Sequence, residues 1–136
     1  MALYLLDTNH LAPATVARSP VRLRIENHLT TGDRFGVCVP VLCEFEIGIQ
    51  QSRNPESYRH TLRRVLRRIR VWPMSIRVAH VYGRLAIDLR RRGRALSQVD
   101  MMLAALALQM NATLLTSDRD FDAIAELRCE NWLTSA

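Results

Sequence analysis

Four carboxylates stand where a chain could gather them. Asp7 ends the apolar run Leu3-Tyr4-Leu5-Leu6, and Glu44 follows Pro40-Val41-Leu42-Cys43. Asp100 heads the apolar segment from Met101 to Met110, and Asp118 comes just after Thr113-Leu114-Leu115-Thr116. Each has a plain use when taken singly. Asp7 and Asp118 fit helix caps, Glu44 complements a helix N-terminus, and Asp100 stands three residues after Ser97, where a capping box usually has Glu or Gln. Gathered at one edge, the same groups behave differently. Carboxylates about 4 Å apart repel by roughly 4 kcal/mol per pair at an effective dielectric near 20. That rivals a domain's whole stability of about 5–15 kcal/mol. Such a cluster must take up protons or bind a cation. An oxygen-only donor set without His or Cys suits Mg²⁺ or Mn²⁺.

Whether the acids meet depends on the elements that carry them. Leu3–Leu6, Phe35–Val39, Val71–Met74, Thr113–Thr116 and Arg128–Leu133 read as short strands bounded by polar or proline residues. Between them lie helical stretches. Leu11 to Ala17 is short, and Ser19-Pro20 opens a helix with Val21, Ile25 and Leu29 on one face. A third helix runs from Pro40 to about Ser52, with Glu44 and Glu46 on different faces. The next begins at Pro55 and carries the stripe Tyr58, Leu62, Val65, Leu66, Ile69. Ser75 and Ser97 cap two more, the second apolar nearly all round, and a short helix follows Asp118. Strands alternating with helices predict an α/β fold with a mainly parallel sheet and helices on both faces. Ligands of such sheets sit outside the carboxyl ends of the strands. All four acids are expected at that edge.

The 136 residues fit one domain, 1–136, long enough for a substantial core. No apolar run approaches a membrane-spanning length, and the chain opens directly on its first strand, so a cytoplasmic protein without a membrane partner is expected. Cys38, Cys43 and Cys129 are odd in number and lack C-x-x-C spacing, which argues for reduced thiols and against structural zinc. The net charge is +6, and all 19 basic residues are Arg. Arg binds phosphate bidentately and stacks on bases, so the surplus suits RNA or DNA, and equally an acidic protein partner. Arg59, Arg63, Arg64, Arg67 and Arg68 form the polar side of the Pro55 helix; a solvated face, a phosphate-binding surface and an acidic-partner surface all fit it. The arginines from Arg90 to Arg94 complement a helix C-terminus ending at Gly93.

Four segments in this order, Leu5-Leu6-Asp7-Thr8-Asn9, Glu44-Phe45-x-x-Gly48, Asp100-Met101-Met102-Leu103-Ala104-Ala105 and Thr116-Ser117-Asp118-Arg119-Asp120-Phe121, resemble the PIN-domain nucleases, and closely the VapC-type toxins. The closing Glu130-Asn131-Trp132 also looks like that family's last strand. The resemblance implies a three-layer PIN-like fold and a metal-dependent endoribonuclease using Mg²⁺ or Mn²⁺. It implies that Asp7, Glu44, Asp100 and Asp118 hold the metal, with Asp120 the alternative to Asp118. Thr8, Asn9 and Thr116 match polar positions beside that pocket. It further implies a homodimer, structured RNA such as transfer RNA as substrate, and a small VapB-like antitoxin as partner. A housekeeping PIN ribonuclease of RNA processing and a catalytically inactive RNA-binding regulator are the competing expectations.

Overall fold

A computed structural model describes residues 1–133. Its sheet is built on β1 (Leu3–Leu6), whose Leu5 and Leu6 are wholly buried. Beside β1 lie β2 (Arg34–Val37) and β4 (Thr113–Leu115), with β3 (Arg70–Val71) and β5 (Cys129–Glu130) at the edges. The order is β3-β2-β1-β4-β5 and every pairing is parallel. The central strands read as continuous apolar runs because parallel strands are covered on both faces.

The six α-helices of the described residues are α1 (Thr8–Ala14), α2 (Pro20–Thr30), α3 (Val39–Gln50), α4 (Pro55–Val65), α5 (Ile76–Arg91) and α6 (Gln98–Met110). Their starts follow local chemistry. Ser19, Asn54, Ser75 and Ser97 each accept a hydrogen bond from a backbone N–H two or three residues into the helix, and Pro20 and Pro55 occupy the first helical position. α6 ends on Asn111 in the left-handed conformation, φ 55°. From Met101 to Ala107, α6 buries every residue but Met102, which makes it the central helix, packed against α3, α5, β1 and β4.

Several boundaries differ from those read in the sequence. α1 begins at Thr8 rather than Leu11, because Asp7 caps it at once: Asp7 Oδ1 accepts the Thr8 N–H at 2.7 Å. The segment after Asp118 is a single 3-10 turn, Arg119–Ala123, too short to form an α-helix. β3 stops before Trp72 and Pro73, and β5 before Asn131. Gly36 in β2 is required by packing: a Cβ there would run into the Trp72 indole, which lies across the strand.

The order β3-β2-β1-β4-β5 reverses direction between β1 and β4. There the chain departs to opposite sides and opens a crevice at the strands' carboxyl ends. Asp7 leaves β1 at that point and Thr116 leaves β4 beside it, the Asp7 N–H donating to Leu115 O at 3.0 Å.

Candidate active site

Asp7 is the most enclosed of the acids, 6% exposed. Both of its oxygens are held. Besides the helix-cap bond at Oδ1, Oδ2 accepts from Thr116 Oγ1 at 2.8 Å and from Asn9 Nδ2 at 3.3 Å. Thr116 Oγ1 in turn accepts the Asp118 N–H at 3.0 Å, which ties the loop after β4 to Asp7. Glu44, in the second turn of α3, accepts from Thr8 Oγ1 at 3.0 Å. Glu46, two residues on, faces α4 and accepts from Arg59 Nε at 3.0 Å. The two acids of α3 thus part, one to the crevice and one to the neighbouring helix.

Asp100, Asp118 and Asp120 each bring one carboxylate oxygen within 4.8 Å of the others'. Asp118 heads the 3-10 turn, its Oδ1 accepting the Asp120 N–H at 2.9 Å. That tight turn is why both acids reach the cluster. Asp7 and Glu44 are not in this closest group, yet their charge is felt there. Burial first, then Asp7, Asp118 and Glu44, push the Asp100 carboxyl up to about 6. Burial raises Asp7 as well, with Glu44 and Asp118 adding to it and the bonds from Thr116 and Thr8 opposing. The donors are carboxylates and hydroxyls only, crowded enough to disfavour the ionised forms of Asp7 and Asp100. Such a set fits a hard divalent cation.

Asn9 carries the site outwards to a residue that sequence reasoning passed over. Its Oδ1 accepts from Ser117 N at 3.2 Å and lies 2.6 Å from His10 Nδ1. His10 is wholly buried, and its Nε2 accepts the Trp132 N–H at 2.9 Å. With Nε2 accepting, the ring proton sits on Nδ1 and is donated to Asn9. A chain of hydrogen bonds therefore runs from the C-terminal segment through His10 and Asn9 to Asp7. The one signal for it is an ionisable ring at the head of the apolar run Leu11-Ala12-Pro13-Ala14.

Burial lowers His10 from 6.5 to about 4. The unfolded chain binds this proton first, so the stability His10 contributes is complete above pH 6.5 and is lost as pH falls towards 4. His10→Gln, whose amide spans both partners without titrating, should remove that loss. In urea unfolding, the wild type should lose about 2–3 kcal/mol relative to the variant between pH 7 and 4.5. Parallel stability curves for the two would show that His10 does not enter the native state neutral.

The fold and the site define an α/β protein with an acid cluster at the switch point of a parallel sheet. The PIN domain family matches residues 4–127. The chain belongs to that family. It is 28% identical over 131 residues to Ribonuclease VapC2 of Rickettsia felis, covering 96% of this chain and 98% of that protein. It is 27% identical over 133 residues to the tRNA(fMet)-specific endonuclease VapC of Shigella flexneri, covering 97% and 99%. Among solved structures it is similar to VapBC2 of Rickettsia felis bound to a promoter DNA fragment, with a TM-score of 0.85 at 27% identity over 96% of this chain and 98% of that one. It is also similar to VapBC-1 of nontypeable Haemophilus influenzae, with a TM-score of 0.82 at 25% identity over 97% and 99%.

Proposed function

We propose that this chain is an endoribonuclease toxin of a VapBC-type toxin–antitoxin pair, acting through a divalent cation, Mg²⁺ or Mn²⁺. The observation that carries the reading is the convergence of Asp100, Asp118 and Asp120 with Asp7 and Glu44 at the crevice between β1 and β4. Residues 1–136 act as one nuclease domain in the cytoplasm, as a homodimer held in check by a VapB-like antitoxin. Structured RNA, transfer RNA included, is the substrate class.

Asp7, Glu44, Asp100 and Asp118 would hold the cation, with Asp120, beside Asp100 and Asp118, the alternative to Asp118. When bound, the cation lowers the pKa of water and offsets the charge that develops on the phosphate. The protein's own part is orientation. Thr116, Asn9 and the Thr8 N–H fix both oxygens of Asp7, and the Thr8 hydroxyl fixes Glu44. Neighbours of this kind are typically worth 10–100-fold in metal affinity or activity. Among the described residues no histidine belongs to the acid cluster: His10 is buried behind Asn9, and His28 is bonded to Asp33. A route through the 2′-hydroxyl therefore lacks its usual imidazole acid and base.

Attack by water leaves a 5′-phosphate and a 3′-hydroxyl. Mapping the ends of a transfer RNA cleaved by the purified chain should find those groups. A 2′,3′-cyclic phosphate would contradict the mechanism.

A further inference from the structure

The arginine stripe of α4 and the turn after it divides in the structure. Arg59 turns towards α3 and is taken up by Glu46 and Glu56. Arg67 and Arg68, in the turn beyond α4, instead line a groove of about 550 Å³ together with Arg34 and Arg70. Arg34 opens β2 and Arg70 opens β3, so two of the four are set by strand backbone. The Trp72 indole, seated across Gly36, closes the groove from the sheet side. Gly36 is the register partner of Arg70.

The groove's charge is not balanced from within. Its one carboxylate, Asp33, is already engaged: Oδ1 accepts the Ala2 N–H at 2.8 Å and Oδ2 lies 2.8 Å from His28 Nδ1. Among the described residues Arg34, Arg67 and Arg70 form no ion pair, and Arg68 reaches Glu26 only at 3.9 Å. Four guanidinium groups around one concavity repel one another unless an anion enters. Each presents a planar fork of donors that matches phosphate bidentately. The volume is large enough for more than one phosphate group. The groove lies at the amino ends of β2 and β3, whereas the acid cluster lies beyond the carboxyl ends of β1 and β4. It is a separate surface.

We propose that this groove binds the phosphodiester backbone of RNA and is a docking surface remote from the acid cluster. The choice of RNA over an acidic protein rests on the ribonuclease reading above; the concentration of positive charge does not.

The test is equilibrium binding of fluorescent transfer RNA to the full chain in EDTA, measured by anisotropy across a salt series. Arg67→Glu with Arg70→Glu should weaken binding at least about tenfold and flatten the log–log salt slope by about 1.5–2, the signature of two lost phosphate contacts. Arg90→Glu with Arg91→Glu, the same charge change at the end of α5, should shift affinity only a few-fold. Circular dichroism checks that both double variants are folded. Equal losses in the two would reduce the effect to net charge and overturn the proposal, as would an unchanged slope in the groove variant. Polyglutamate displacing the RNA from the wild type at lower concentrations than polyuridylate would reassign the groove to an acidic protein. Because binding is read without metal, the two readings fail separately. A groove-dependent slope with no cleavage in Mg²⁺ overturns the ribonuclease alone, and cleavage with groove-independent binding overturns the groove alone.

Discussion

Asp7→Asn should abolish RNA cleavage, lowering the single-turnover rate by at least about 10³-fold, equivalent to about 4 kcal/mol of transition-state stabilisation. The melting temperature should stay at or above that of the wild type. The two halves of this result have one cause. Asp7 is enclosed, and burial with the nearby charges of Glu44 and Asp118 disfavours its ionised form. An amide in its place keeps an oxygen to cap the Thr8 N–H and turns a donor to Thr116 Oγ1, whose hydroxyl rotates, and only the long 3.3 Å bond from Asn9 Nδ2 is lost. The fold would lose a burdened charge, and a bound cation would lose one of its proposed ligands. Single-turnover kinetics and a thermal melt on the same preparation check both. A variant that melts far below the wild type would show that Asp7 serves the fold first.

The second large effect couples metal to protons through Asp100. Its carboxyl, raised from 3.8 to about 6, holds a proton in the folded metal-free protein where the unfolded chain has released it. The folded state binds more protons between those values, so this contribution to stability is present below pH 3.8 and is lost as pH rises through 6. A cation must displace that proton. Its affinity should therefore be nearly flat above pH 7 and fall about tenfold for each pH unit below 6. Asp100→Asn should melt higher than the wild type in EDTA at pH 8 and gain little from added Mn²⁺. The wild type should gain about 2.7 kcal/mol once free Mn²⁺ reaches 100 times its dissociation constant. Calorimetric titrations at pH 5.5, 6.5 and 8, with thermal melts, measure both. Metal affinity independent of pH across that range would exclude Asp100 from the ligand set.

Much of this architecture is legible in the sequence, because its signals are local. Continuous apolar runs mark the buried strands, Ser19, Ser75 and Ser97 mark helix starts, and the nearly all-apolar stretch after Asp100 marks the central helix. The separation of Glu44 from Glu46 follows from helical spacing alone. The gathering of acids follows from one rule about where parallel sheets leave their carboxyl ends. What stayed hidden depends on contacts across the chain. His10 acquires its character from the Trp132 N–H, 122 residues away. Arg34 carries no signal in the sequence and meets Arg67, Arg68 and Arg70 only because β2 and β3 are neighbours. Asp118 and Asp120 could not be separated because a 3-10 turn brings both to the same point. The short helix expected after Asp118 is a 3-10 turn instead, since the polar run there carries caps enough for a helix but lacks the length.

The most direct measurement of the central claim is the position of Mn²⁺ in crystals of the protein, read from its anomalous scattering. A peak is expected at the crevice between β1 and β4, within bonding distance of Asp100 and of Asp118 or Asp120, about 2.0–2.2 Å from their oxygens. In Asp7→Asn crystals that peak should be weakened or lost. A Mn²⁺ peak bound elsewhere, with none at these carboxylates in protein that cleaves RNA, would contradict the claim.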